Sequence, residues 1–190
     1  MKKIFLLIGC LVATAAVRGD IIPSFVGATP SGGNTVWGYQ INITTDQQVT
    51  TGDFFTIYDF GAFIAGSNAQ PSGWTFSSSL LGPTPSATNP PDDPTLQNIT
   101  WTYSGPTLAS NTSAGPFSVS TVGTQPSPVP LRDSYFAAQA TRSTGANIGT
   151  KINNVGRIPV PTTVPEPTTL SLIALGAAGA AIRALRRRRQ

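Results

Sequence analysis

Apolar and polar residues alternate in several short segments of the chain. Between Trp37 and Ile43 every second side chain is apolar, and residues 74–80 and 99–103 repeat this pattern. Strict alternation is typical of a strand with one buried face, because successive side chains of a strand point to opposite sides of the sheet. Residues 54–60 are apolar more densely, which predicts a strand buried on both faces.

Proline-rich segments separate these strands. Residues 82–95 contain five prolines, and a second proline-rich segment covers residues 125–130. Proline lacks the backbone N–H that a sheet needs, so both segments predict long exposed loops. The pattern predicts further strands at residues 62–65, 117–121, 135–141 and 148–157.

Seven or eight short strands and no helix pattern outside the chain ends predict an all-β domain. With turns rich in glycine, proline and asparagine, the expected architecture is an antiparallel β-sandwich, with a jelly roll as an alternative topology. The domain is expected to cover residues 20–157, and residues 158–164 to form an extended proline-rich linker.

The N-terminus has the pattern of a secretory signal peptide. Two lysines follow Met1, and an apolar segment covers residues 4–12. A signal-peptide helix over residues 1–19, cleaved after Gly19, fits this arrangement, and cleavage after Ala15 is the alternative. The residues before Cys10 also match a lipoprotein signal loosely.

The formal charge of +4 does not describe the predicted domain. Eight of the twelve basic residues lie in the two end segments, so residues 20–157 carry four basic and seven acidic side chains, a net charge of −3. A domain with this charge lacks the electrostatic basis for binding nucleic acid.

The absence of histidine limits the chemistry that the chain can perform. The only cysteine is Cys10, inside the predicted signal peptide. Zinc, haem and iron–sulfur sites lack their usual ligands, and Ser-His-Asp and Cys-His catalytic arrangements are excluded. The sequence therefore indicates no cofactor, no metal and no catalytic residue.

Carboxylates and tryptophans are the remaining candidates for a site. Asp53 and Asp59 flank one predicted strand, about 20 Å apart if it is regular, which favours solvated strand ends over a catalytic pair. Asp92 and Asp93 lack the ligand ladder of a calcium loop and are expected to be solvated. The tryptophans, in phase with other apolar residues, are expected in the core, with a carbohydrate-stacking platform as the alternative. They are Trp37, Trp74 and Trp101.

The C-terminus combines a short apolar segment with a cluster of arginines. Residues 168–182 carry no charge and would span about 22 Å as a helix. Extension to about residue 185 brings the helix close to the thickness of a bilayer, because Arg183 can place its guanidinium among the headgroups. The cluster over residues 183–189 fixes the orientation, with the domain on the far side of the membrane. Its members are Arg183, Arg186, Arg187, Arg188 and Arg189.

Two prolines flank a glutamate directly before this helix, as Pro165-Glu166-Pro167. The motif, the apolar helix and the arginine cluster together resemble the PEP-CTERM sorting signal, over residues 165–190. The resemblance implies recognition and processing by an exosortase, a membrane enzyme, after a transient stay in the inner membrane. It implies an exported protein that reaches the cell surface or the extracellular space, with exopolysaccharide as a further partner.

These observations predict a non-enzymatic surface or matrix protein that is sorted through its tail. The alternative is a carbohydrate-binding module that presents exposed tryptophans. A hydrolase built on aspartates would instead require a deep pocket lined by at least two of them.

Overall fold

A computed structural model describes residues 20–125 and 130–162. The described residues form an all-β domain of antiparallel strands, without a helix. The strands are β1 (Ile21–Ser31), β2 (Asn34–Ile43), β3 (Gln47–Gln48), β4 (Phe54–Ile57), β5 (Trp74–Ser79), β6 (Asn98–Tyr103), β7 (Thr112–Val122), β8 (Leu131–Arg142) and β9 (Lys151–Pro161).

Strand β2 is the centre of a three-stranded sheet, between β1 and β7. Its side chains Trp37, Tyr39 and Ile41 are buried, whereas Gln40 and Asn42 are exposed. One face of this sheet therefore belongs to the core and the other faces solvent, as the alternation predicted.

The second sheet has six strands, with the order β3-β8-β4-β6-β5 and with β9 paired to β8. Residues 136–139 of β8 pair with both β4 and β9, so these two strands lie on opposite sides of β8. Strand β4 is buried on both faces, as predicted: Phe55 points into the core, and Thr56 is buried on the outer face.

Aromatic side chains from both sheets meet in the core. The ring of Phe55 stacks on Trp101 of the same sheet at 5.1 Å, and it meets Phe117 of the three-stranded sheet edge-on at 5.0 Å. Aromatic pairs in such offset and edge-to-face arrangements stabilise a core beyond the area that they bury. The prediction of an antiparallel, sandwich-like all-β fold is confirmed. The predicted signal-peptide and transmembrane helices lie outside the described residues.

The last strand is longer than the sequence predicted. Strand β9 continues to Pro161, so residues 158–161 of the predicted linker belong to the sheet. The reason is that Ile158 and Val160 alternate into the core, while Pro159 and Pro161 lie on an edge strand, where their missing N–H groups cost no ladder bond.

Three further segments differ from the prediction. Strand β1, which begins directly after Asp20, was not predicted. The two-residue strand β3 was not predicted either. The strand predicted at residues 62–65 is absent: this part of the chain forms a loop that lies beside β7, where the N–H of Ile64 donates to the carbonyl of Ser120.

Candidate functional site

Asp53 is the most deeply buried carboxylate of the domain, with no exposed surface. It precedes β4 and follows a turn in which Gly52 has a φ of 88°, a conformation that glycine adopts readily. Its Oδ2 accepts hydrogen bonds from the N–H of Thr50 and from the hydroxyl of Thr141, both at 2.8 Å. The Nζ of Lys151 lies 2.6 Å from Oδ1.

This cluster joins three strands at one end of the six-stranded sheet. Asp53 leads into β4, Thr141 lies near the end of β8, and Lys151 begins β9. The donors around Asp53 satisfy both carboxylate oxygens, which is the condition for burying a charge. The interpretation of Asp53 as a solvated strand end was therefore wrong.

Asp59 lies in a second cluster, at the opposite end of β4. Its φ of 50° is unusual for a residue other than glycine. Its Oδ1 accepts a hydrogen bond from the N–H of Asp93 at 2.7 Å, and its own N–H donates to Oδ1 of Asn98 at 2.7 Å. The guanidinium of Arg132 donates to its carbonyl oxygen. Asp59 is thus also largely buried, and its carboxylate holds the proline-rich loop against the sheet.

Asn98 is the central residue of this second cluster. Besides accepting from Asp59, it donates through Nδ2 to the carbonyl of Leu80 at 3.1 Å and to Oδ1 of Asp92 at 2.9 Å. It therefore connects the start of β6 with both ends of the proline-rich loop.

The loop over residues 82–95 covers part of the outer face of the six-stranded sheet. The carbonyl of Pro83 accepts hydrogen bonds from the hydroxyls of Thr56 at 2.9 Å and Tyr58 at 3.1 Å. Burial raises the pKa of Tyr58. Most loop residues are exposed, as predicted, but Pro85 and Pro90 are buried against the domain.

Asp93 uses its carboxylate to fix the loop itself. Its Oδ1 accepts from both the hydroxyl and the N–H of Thr95, at 2.7 and 2.9 Å, and these bonds lower the pKa of Asp93. Within the described residues, no group of three or more histidine, cysteine, aspartate or glutamate side chains is arranged to hold a metal ion.

All three tryptophans are buried. Trp37 donates from Nε1 to the hydroxyl of Thr121 at 3.1 Å, and the rings of Trp74 and Trp101 pack on Phe117 at 5.0 and 5.5 Å. The alternative of a carbohydrate-binding module with exposed tryptophans was wrong, because no tryptophan face is available to a sugar ring.

The surface of the described residues includes two shallow concavities. One, of about 510 Å³, lies across the outer face of the three-stranded sheet beside Val26, Gly38 and Pro116. The other, of about 480 Å³, lies beside Asn42 and Asn111. Neither is lined by a carboxylate or a basic side chain, so neither offers an acid or base for catalysis.

The described part of the chain contains no helix that is long and apolar enough to cross a membrane. The sorting residues Pro165, Glu166 and Pro167 and the arginine cluster over 183–189 lie outside it. The predicted signal peptide over residues 1–19 and the transmembrane helix over about 168–185 remain predictions.

Residues 163–189 match the family model of the PEP-CTERM protein-sorting motif. The chain carries a PEP-CTERM sorting signal. It is accordingly an exported protein and a substrate of exosortase, anchored at the membrane before processing and then found at the cell surface or outside the cell. The PEP-CTERM match begins two residues after β9 ends, so the sorting signal follows the folded domain almost directly. No curated protein matches the chain.

Proposed function

We propose that the domain is a non-enzymatic component of the cell surface or extracellular matrix, associated with exopolysaccharide. The observation that carries the proposal is that a sorting signal for export follows a domain whose buried carboxylates are used to hold strands and a loop. Asp53 is held by donors from β8 and β9, and Asp59 holds the proline-rich loop. A catalytic acid or base must instead reach a substrate.

The outer face of the three-stranded sheet supports association with a neutral polysaccharide. Its exposed or half-exposed side chains include Ser24, Gln40, Asn42, Ser118 and Ser120. Amide and hydroxyl groups donate and accept hydrogen bonds, as sugar hydroxyls do, and no charged side chain occurs in β1, β2 or β7.

Co-sedimentation with exopolysaccharide from the source cells tests the association. We expect the exported protein to sediment with the polymer and Asn42→Asp to sediment less, because a charge on this face must be desolvated on binding. Asn147→Asp, an exposed change in the turn before β9, is the matched control and should sediment like the unmodified protein.

The absence of enzymatic activity is tested in the same mixture. After prolonged incubation the size distribution of the polysaccharide should be unchanged. Shortened polymer chains would contradict a non-enzymatic role, and protein that stays in the supernatant would contradict the association.

A further inference from the structure

Proline protects the free edge of β1 from pairing with another chain. The carbonyl of Asp20 accepts from the N–H of Thr44, so in the antiparallel register with β2 the backbone groups of residues 21, 23 and 25 point away from β2. Pro23 occupies one of these positions and offers no N–H to a further strand. The register shifts at a bulge between Phe25 and Gly27, and beyond it Pro30 likewise offers no outward N–H.

The free edge of β9 carries the same protection. In its register with β8, the N–H of Arg142 donates to the carbonyl of Thr150, which places the odd-numbered residues of β9 with their backbone groups facing outward. Pro159 and Pro161 occupy two of these positions, and the charged residues Lys151 and Arg157 occupy two more. Proline and charge on an edge strand are known devices against unwanted pairing.

The free edge of β7 is covered by the chain itself. The N–H of Ile64 donates to the carbonyl of Ser120 at 2.8 Å, and Ala69 exchanges two backbone hydrogen bonds with Ser118 at 2.8 and 2.9 Å. The loop beside β7 thus serves as an additional partner strand for this edge.

Strand β5 has none of these devices. The N–H of Ser104 donates to the carbonyl of Gly73, so the N–H and C=O groups of Phe76 and Ser78 point away from β6. Within the described residues, no segment pairs with this side of β5. Residues 73–82 contain neither proline nor charge.

We propose that this edge pairs with the same edge of a second copy of the chain, antiparallel and about a two-fold axis at Ser77. In this register Phe76 lies opposite Ser78 of the partner. Both residues of each copy then exchange backbone hydrogen bonds, and the two six-stranded sheets become one continuous sheet.

A second copy fits this edge better than a charged partner. The edge is neutral and its exposed side chains are serine and threonine, so two identical edges meet without repulsion between like charges. Leu81 is 72% exposed at the end of the strand and would contact the partner strand near its Gly73. The sorting signal holds all copies at the same membrane before processing, which raises their local concentration.

Single cysteines test the register directly. In a Cys10→Ala background, Ser77→Cys places two thiols across the axis, at a Cα separation of about 4.5 Å, within the range that a disulfide bridges. Ser79→Cys is the matched control: residue 79 is equally exposed on the same face, but its Cα atoms in the two copies are about 14 Å apart. Under mild oxidation of the exported protein we expect Ser77→Cys to double in mass and Ser79→Cys to remain monomeric. Equal cross-linking of both variants, or of neither, would overturn the proposal.

Proline substitution provides an independent measurement. Ser78→Pro removes one outward N–H, and the protein should change from dimer to monomer in light scattering while its thermal unfolding stays cooperative. Val155→Pro removes an outward N–H from β9 and should leave the dimer intact. A monomeric unmodified protein, or an edge occupied by a different protein in the exported material, would contradict pairing between copies.

Discussion

Replacement of Asp53 by alanine should destabilise the domain strongly. The residue has no exposed surface through which it could contact a substrate, so its role is structural. The substitution leaves the N–H of Thr50 and the hydroxyl of Thr141 without their acceptor, and it removes the partner of Lys151. All three donors come from segments that the carboxylate holds together.

The size of the effect follows from these contacts. Hydrogen bonds to a charged group contribute about 1.5 kcal/mol or more each. Two of them give about 3 kcal/mol. The ion pair adds at most about 1 kcal/mol, because the side chain of Lys151 is 40% exposed and regains water when the pair is broken. For a domain of this size, the resulting loss of about 3 to 4 kcal/mol lowers the melting temperature by roughly 10 to 15 °C.

Thermal and urea unfolding, followed by circular dichroism, measure this loss. Asp133→Ala is the matched control, because its ion pair with Arg157 spans 3.9 Å between side chains that are each about two-thirds exposed. The control should change stability by less than about 0.5 kcal/mol. An Asp53→Ala protein as stable as the control, or more stable, would refute a structural role for Asp53. Such a result would instead be typical of a functional residue, because functional residues often lower the stability of the protein.

Three further predictions follow from the clusters and the tail. Asn98→Ala should cost about 2 kcal/mol in urea unfolding and expose residues 82–95 to limited proteolysis, because the loop loses its anchor. Burial raises the pKa of Tyr39 and of Tyr58 above the value of about 10 that tyrosine has in the unfolded chain. The free energy of unfolding should therefore fall as the pH rises above about 10. Urea unfolding from pH 9 to 11 should show this fall, and the fall should be smaller in Tyr39→Phe. Glu166→Ala should leave unprocessed precursor in the membrane fraction on immunoblots, whereas normal processing would contradict a role for this glutamate.

Alternation of side chains was sufficient to predict the strands that have one continuous face in the core. Strand β2 follows it closely, because its buried residues fall on every second position. In β5, Trp74 and the half-buried Phe76 keep the same spacing. In β6 the apolar residues also alternate, but Asn98 and Thr100 on the other face are buried as well. Strand β1 was missed because two prolines and a bulge near Gly27 interrupt its pattern. The end of β9 was assigned to a linker for a related reason. Proline is accepted in an edge strand, but the sequence alone does not show which strand lies at the edge of the sheet.

The roles of the carboxylates depend on contacts between residues distant in the chain. The carboxylate of Asp53 meets Lys151 across 98 positions, and that of Asp59 accepts from the N–H of Asp93 across 34. No local pattern around either aspartate predicts its burial. By contrast, the expected core position of the tryptophans followed from their phase with other apolar residues, and all three are buried. The sorting signal is recognisable because its parts are contiguous in sequence.

Intact mass spectrometry of the exported protein tests the central claim most directly. We expect the protein at the cell surface or in the medium to begin after Gly19 and to end near Pro165, without the arginine cluster over residues 183–189. A full-length protein that retains these arginines and stays in the inner membrane would contradict delivery through the PEP-CTERM tail.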